Sequence, residues 1–412
     1  MNALRSYALV TVAYWAFTLT DGALRMLVLL HFHALGYTPV ELAFLFVFYE
    51  LFGVVTNLLG GWLAARTGLR VTLLGGLALQ VVALTLLTRV GPTWTEAASV
   101  AYVMGAQSLS GIAKDLTKMS AKSTLKRLVP AHQESRLFQW VALLTGSKNA
   151  LKGVGFFLGG VLLTALGYRP ALLAMAGGLL VVLVATWLAL PGALGPSRSK
   201  PKFRGLLSKT RAVNVLSAAR FFLFGARDVW FVVGVPVFLA VDLGWSFGAV
   251  GAFLAAWVIG YGVVQSAAPV VIRRWTGGRA PGARAATVLA FVLAGVTALV
   301  AAGLISGHAP VAVILIGLGV FGAVFAVNSS VHSYLILAVS DGDAVAMNVG
   351  FYYMANAGGR LVGTLLSGVL FARAGVTGCL WGSVAFAATA GVVSLALPRM
   401  EPRMNPAREP AA

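Results

Sequence analysis

The chain has 412 residues, of which 59% are hydrophobic and only 10% charged. Soluble domains carry about 25% charged residues, so this composition excludes an ordinary soluble enzyme and a disordered chain. A formal charge of +19 would suit a nucleic-acid binder; the distribution of the basic residues argues otherwise.

Apolar runs recur twelve times, at 7–30, 40–63, 69–89, 98–115, 137–166, 169–190, 213–240, 247–272, 285–306, 310–338, 344–371 and 375–397. Each approaches the roughly 20 apolar residues that a membrane-crossing helix needs. The first run is too long for a signal peptide and contains Asp21 and Arg25, so it reads as a retained span. With the N-terminus inside, 22 basic residues fall in cytoplasmic segments, six of them between Lys114 and Arg136. Three fall outside (Arg89, Arg169 and Arg373) and six within spans. That asymmetry puts both termini in the cytoplasm. The charge is then topology and contact with anionic lipid, and no nucleic-acid partner is expected.

A basic stretch rich in Pro, Gly and Ser, Pro191–Arg211, divides the chain. The expected organisation is an N-terminal six-helix bundle (1–190), a cytoplasmic linker (191–212), a C-terminal six-helix bundle (213–398) and a cytoplasmic tail (399–412). The halves resemble each other. Gly53–Gly68 lies over Gly262–Gly277, and Lys148–Leu162 lies over Asn356–Leu370, which puts Lys152 on Arg360 and Gly155 on Gly363. Asp21–Arg25 lies over Phe224–Asp228. Parallel six-span repeats place a substrate site near the bilayer midplane, between the halves.

After the second span, Gly61-Trp-Leu-Ala-Ala65-Arg66-Thr-Gly68-Leu-Arg70 resembles the loop motif of the major facilitator superfamily, with Ala65 where that motif has an acid. The resemblance implies an all-α membrane protein of twelve transmembrane helices in two six-helix bundles, with spans 1, 4, 7 and 10 lining a cavity and 2, 5, 8 and 11 flanking it. The missing acid puts that family's cytoplasmic latch in doubt here. The glycine run Gly153, Gly155, Gly159 and Gly160 in the fifth span resembles an antiporter motif whose proline is replaced by Phe156.

A charged side chain at mid-membrane costs roughly 2.5–3.5 kcal/mol on insertion scales, so such residues pair or face water. Asp21 and Arg25, Lys148 and Lys152, Asn356 and Arg360, and Asn328 and His332 are each four apart and share a helix face. Arg220 and Arg227 share another, with Asp228 following. Six bases stand against Asp21, Glu50 and Asp228. Pure pairing (Arg25 with Asp21, Arg227 with Glu50, Arg360 with Asp228) leaves three bases over, so a multiply anionic substrate is favoured. The expected substrate contacts are Arg25, Lys148, Lys152, Arg220, Arg227, Asn356 and Arg360. Asp21, Glu50, Asp228 and His332 are candidates for proton coupling or gating, although His332 also reads as a plain polar core residue. Lys114 and Lys118 are expected to snorkel to the surface. No nucleotide-binding or hydrolase motif occurs, and a single cysteine, Cys379, excludes a thiolate metal site. Neither an enzyme nor a cofactor nor a metal is expected.

Four stretches, Tyr14–Tyr37, Ser110–Ser123, Leu144–Gly160 and Asn214–Val233, resemble the ArsJ-type organoarsenical efflux permeases of this superfamily. The resemblance implies export of 1-arseno-3-phosphoglycerate, made by glyceraldehyde-3-phosphate dehydrogenase from arsenate, by a monomer in the inner membrane of the cell. Its fixed bases suit such a substrate. A carrier of another phosphorylated or organic anion is the alternative reading, and a membrane-embedded enzyme is a weaker one.

Overall fold

The computed structural model describes residues 3–37, 45, 47–91, 93–129, 133–190, 209–245, 247–340 and 344–398. Most of the expected linker, the tail and the side chain of Glu50 lie outside the described residues. Among those residues the fold is entirely helical. In chain order the helices are α1 (Ala3–Ala34), α2 (Val47–Thr67), α3 (Leu69–Leu87), α4 (Glu96–Leu128), α5 (Glu134–Leu166), α6 (Tyr168–Ala189), α7 (Arg211–Phe231), α8 (Phe247–Thr276), α9 (Ala283–Ile305) and α10 (Pro310–Ala338). A final stretch, Val345–Leu395, is broken by non-helical backbone at Ala374 and Gly375, where Gly375 takes a left-handed φ of 60°. Its two arms are α11 (345–373) and α12 (376–395). A short helix, Gly234–Val237, and a π-helical turn, Phe238–Asp242, prolong α7. The hydroxyl of Ser367 receives the freed amides of Val233 and Gly234 at 3.3 and 3.1 Å. Among the described residues, nine helical stretches are long and apolar enough to cross a membrane.

The largest departure from expectation is α4. The fourth apolar run breaks off at 115, but the helix continues to Leu128. Lys114, Asp115, Lys118 and Lys122 depress the hydropathy of its second half without interrupting the helix. Lys114 and Lys118 do not snorkel, because aromatic rings and a carboxylate hold them inside. With Lys122 they leave the cytoplasmic count, and the basic excess at the end that carries the termini persists.

The internal repeat is physical. A Cβ built on Gly155 would stand 2.7 Å from Leu19 O and 3.0 Å from the Gly22 Cα. One built on Gly363 would stand 2.8 Å from Gly225 O and 3.1 Å from the Gly225 Cα. Thus α1 crosses α5 as α7 crosses α11, through glycines that the repeat aligns. Close backbone approach of this kind is how helices associate in lipid, where apolar burial supplies little driving force. Leucine at Gly155 or Gly363 is expected to destabilise the bundle by about 1–3 kcal/mol through overpacking, measured as a fall in folded yield and thermal stability in detergent.

Apolar packing divides by depth. One cluster draws on both halves: Tyr7, Val10, Leu125, Leu137, Leu144, Leu216, Ile272, Leu335, Val345 and Leu397 all belong to it. Every contributing helix enters it by the end nearest the chain termini. Ala65, at the acid position of the loop motif, is buried in the same cluster. Toward the other end the clusters separate, two built from N-terminal helices and one from C-terminal helices. The halves also touch where α2 crosses α11, with a Gly61 Cβ falling 2.6 Å from Ala346 O, and where α5 crosses α8, with a Gly262 Cβ falling 2.6 Å from Gly146 O. The two halves are therefore closed together at the termini end.

Candidate functional site

Above this closed end, α1, α4, α5, α7 and α11 turn charged side chains inward. On α1, Asp21 is buried and accepts a 2.5 Å hydrogen bond from the Tyr49 hydroxyl of α2. The Tyr49 ring carries the Arg25 guanidinium 4.4 Å from its centroid and the Lys114 ammonium at 3.8 Å. One tyrosine thus ties a carboxylate to two cations, because its hydroxyl donates while its ring face attracts positive charge. On α4, Lys118 pairs with buried Asp115 at 2.5 Å and lies 4.5 Å from the Tyr353 ring of α11.

On α5, Lys148 and Lys152 are half-buried. Lys148 donates to Asn149 Oδ1 at 3.2 Å. Asn149 donates to Gln265 of α8 at 2.6 Å, and Gln265 to the Ser329 hydroxyl of α10 at 3.1 Å. Among the described residues, neither lysine pairs with a carboxylate. Lys148 lies in electrostatic range of Lys118, Asp21, Lys114 and Arg360, and Lys152 in range of Arg25, Asp21, Lys148 and Lys114.

In the C-terminal half one carboxylate serves two arginines. Asp228 takes Arg227 Nη2 at 2.5 Å on Oδ1 and Arg360 Nε at 2.9 Å on Oδ2. The carboxylate is buried, while 34% of the Arg360 side chain is exposed. The pairing expected of Arg360 is present, and Arg227 joins the same acid. Deeper, Arg220 is sealed. Its Nε donates to Asn356 Oδ1 at 2.9 Å, its Nη1 to the carbonyl and hydroxyl of Ser329 at 3.2 Å, and its guanidinium lies 3.8 Å from the Phe224 ring centroid. It does not snorkel. Asn356 therefore orients Arg220 in this conformation, and His332 and Asn328 are fully buried.

The sequence reading passed over Tyr49, Asp115 and Lys122, gave Tyr353 no role in the site, and sent Lys114 and Lys118 to the surface. The signal was available: Lys114, Lys118 and Lys122 recur every four residues, which puts them on one face. With them, nine bases lie inside the bundle (Arg25, Lys114, Lys118, Lys122, Lys148, Lys152, Arg220, Arg227 and Arg360) against Asp21, Asp115 and Asp228 among the described residues. The positive surplus is larger than the sequence implied.

A family model for the Major Facilitator Superfamily matches residues 9–275, well over half of the chain. The chain belongs to the major facilitator superfamily. Solved structures of superfamily members share its fold along almost the whole length. A bacterial homologue of the iron transporter ferroportin, in an outward-facing state, is 13% identical with a TM-score of 0.75, covering 95% of this chain and 98% of its own. The human organic anion transporter MFSD10 (TETRAN) is 16% identical at 0.74, covering 96% and 100%. The proton:xylose symporter XylE is 15% identical at 0.74, covering 96% of each chain. At these identities the likeness establishes the fold. No curated protein matches the chain. Superfamily membership makes the protein a multi-pass membrane transporter.

Proposed function

We propose that this transporter exports an organic arsenical anion, 1-arseno-3-phosphoglycerate, by alternating access. The observation that carries the reading is the pair Lys148 and Lys152. They are half-buried, lack a carboxylate partner among the described residues, and sit between Arg25 on one side and Arg360 on the other. A cargo with a phosphate at one end and an arsenate group at the other supplies the missing negative charge at two points. Lysine offers a compact ammonium and arginine a planar fork, and together they hold tetrahedral oxyanions. Among the described residues, Asp21 and Asp228 are carboxylates placed to serve proton coupling or gating. The basic excess at the termini end supports cytoplasmic termini, and with them placement in the inner membrane and a structure closed toward the cytoplasm. The resemblance to ArsJ-type permeases supports the arsenical cargo, a dehydrogenase partner that makes it, and a monomeric carrier. A carrier of another phosphorylated anion is the competing reading, because these bases would grip phosphate and arsenate alike.

The test is arsenic accumulation in arsenate-treated, arsenic-sensitive cells that express the transporter with and without glyceraldehyde-3-phosphate dehydrogenase. The expected result is lower cell arsenic with both proteins present. Unchanged arsenic, with the transporter demonstrably in the membrane, would remove the arsenical cargo and leave the competing carrier.

A further inference from the structure

We propose that the closed end of the bundle hides a second oxyanion station, formed by Lys122 and Arg220 beside His332, which takes the phosphate-like end of the cargo when that end opens. The proposal rests on the anion-carrier reading above and adds a site below the Lys148–Arg360 level.

Lys122 comes from α4 in the N-terminal half and is 2% exposed. Among the described residues its ammonium donates to two hydroxyls across the seam, Tyr353 of α11 and Ser333 of α10, the latter at 3.4 Å. Arg220 comes from α7 in the C-terminal half, is equally buried, and among the described residues meets neutral acceptors and aromatic faces. Among the described residues no carboxylate pairs with either. Their partners are neighbours: Ser333 and Ser329 lie one turn apart on α10 and Tyr353 and Tyr352 are adjacent on α11, and Arg220 is the foremost charge acting on Lys122. Closing the end therefore presses two desolvated like charges together, inside the apolar cluster that seals the halves. A permanent structural site would gain from a carboxylate here.

Helix α10, which gives Ser329 to Arg220 and Ser333 to Lys122, also carries two unmet polar side chains. His332 and Asn328, one turn apart, are fully buried, and among the described residues none of their side-chain nitrogens or oxygens has a hydrogen-bond partner. His332 lies in range of Arg220. Buried polar groups ordinarily find partners, and unmet ones mark an absent ligand or another conformation. A tetrahedral oxyanion between Lys122 and Arg220 would neutralise the repulsion, accept from the guanidinium fork and the ammonium, and give His332 a partner. The Tyr353 and Ser333 hydroxyls hold the place when the end is shut.

The glycine crossings supply a way to open that end. A Cβ on Gly350 would fall 2.5 Å from Asn57 O and 3.0 Å from the Gly61 Cα, so Gly350→Val props the halves apart. Gly262→Val does the same at the α5–α8 crossing and serves if the first variant fails to fold. Purified protein in detergent would be titrated with 3-phosphoglycerate and with inorganic phosphate by calorimetry. The series comprises the parent and the propped variant, each also carrying Lys122→Gln or Arg360→Gln. In the propped background, Lys122→Gln is expected to weaken 3-phosphoglycerate binding about tenfold or more, the scale of one charge-assisted hydrogen bond, and several-fold more than it does in the parent. An equal effect of Lys122→Gln in both backgrounds, or none in either while Arg360→Gln weakens binding, overturns the second station and leaves the upper site standing. No binding of either probe by any folded protein in the series overturns the anion-carrier reading itself.

Discussion

Alanine at Asp228 is expected to destabilise the protein by about 2–4 kcal/mol. The carboxylate is 1% exposed and is the shared partner of Arg227 and Arg360. Removing it deprives two guanidinium groups, one 15% and one 34% exposed, of their shared carboxylate beside the α7–α11 crossing. Partial hydration of the arginines keeps the cost below that of stranding fully buried cations. The glycines of that crossing bring the helix backbones together, so separation of the arginines is opposed by the packing of Gly363 on Gly225. Thermal unfolding in detergent measures the loss. Adding Arg227→Ala and Arg360→Ala to the Asp228 variant is expected to recover most of it, because the charges that Asp228 balanced go with it. A melting temperature unchanged by Asp228→Ala would show that the pairs contribute no stability, and that Asp228 is free to act in gating alone.

The fold was legible in the sequence wherever lipid dictated composition. Apolar runs long enough to cross a bilayer located most helices, and the internal repeat aligned Gly155 with Gly363 and Gly22 with Gly225 before their contacts were known. Legibility failed at α4, for a physical reason. Hydropathy treats each lysine as solvated, whereas Lys118 is neutralised by Asp115 and Lys122 is met by hydroxyls from the opposite half. Those partners are more than two hundred residues away for Lys122, beyond the reach of any local window. For the same reason the division of labour among the bases was hidden. Arg220 and Arg227 share a helix face, yet Arg227 joins a carboxylate and Arg220 is packed among neutral groups. Which base retains unneutralised charge depends on α8, α10 and α11, and local spacing says nothing of them. The closure of the halves at one end was equally illegible, since its cluster draws on ten helices and on Leu190 and Leu397, just beyond the ends of α6 and α12.

Substitution of Lys152 by glutamine separates a binding role from a structural one, because the two roles predict opposite changes in stability. A cation that holds the bundle together loses stability when neutralised. A cation kept for cargo is a burden in the empty protein, since it is half-buried beside Arg25 and Lys148 without a carboxylate partner among the described residues. Neutralising it removes both desolvation and like-charge repulsion, so Lys152→Gln is expected to raise stability by about 1–2 kcal/mol. The same change is expected to lower anion export about tenfold or more, the scale of one charge-assisted hydrogen bond to an oxyanion. Thermal unfolding and uptake into inside-out membrane vesicles read the two quantities on one preparation. Stability and export falling together would make Lys152 a structural residue and move the binding assignment to Lys148 and Arg360. A more stable, inactive protein would show that the fold tolerates Lys152 for the sake of its cargo, which is the pattern expected of a site where specificity is held at the expense of stability.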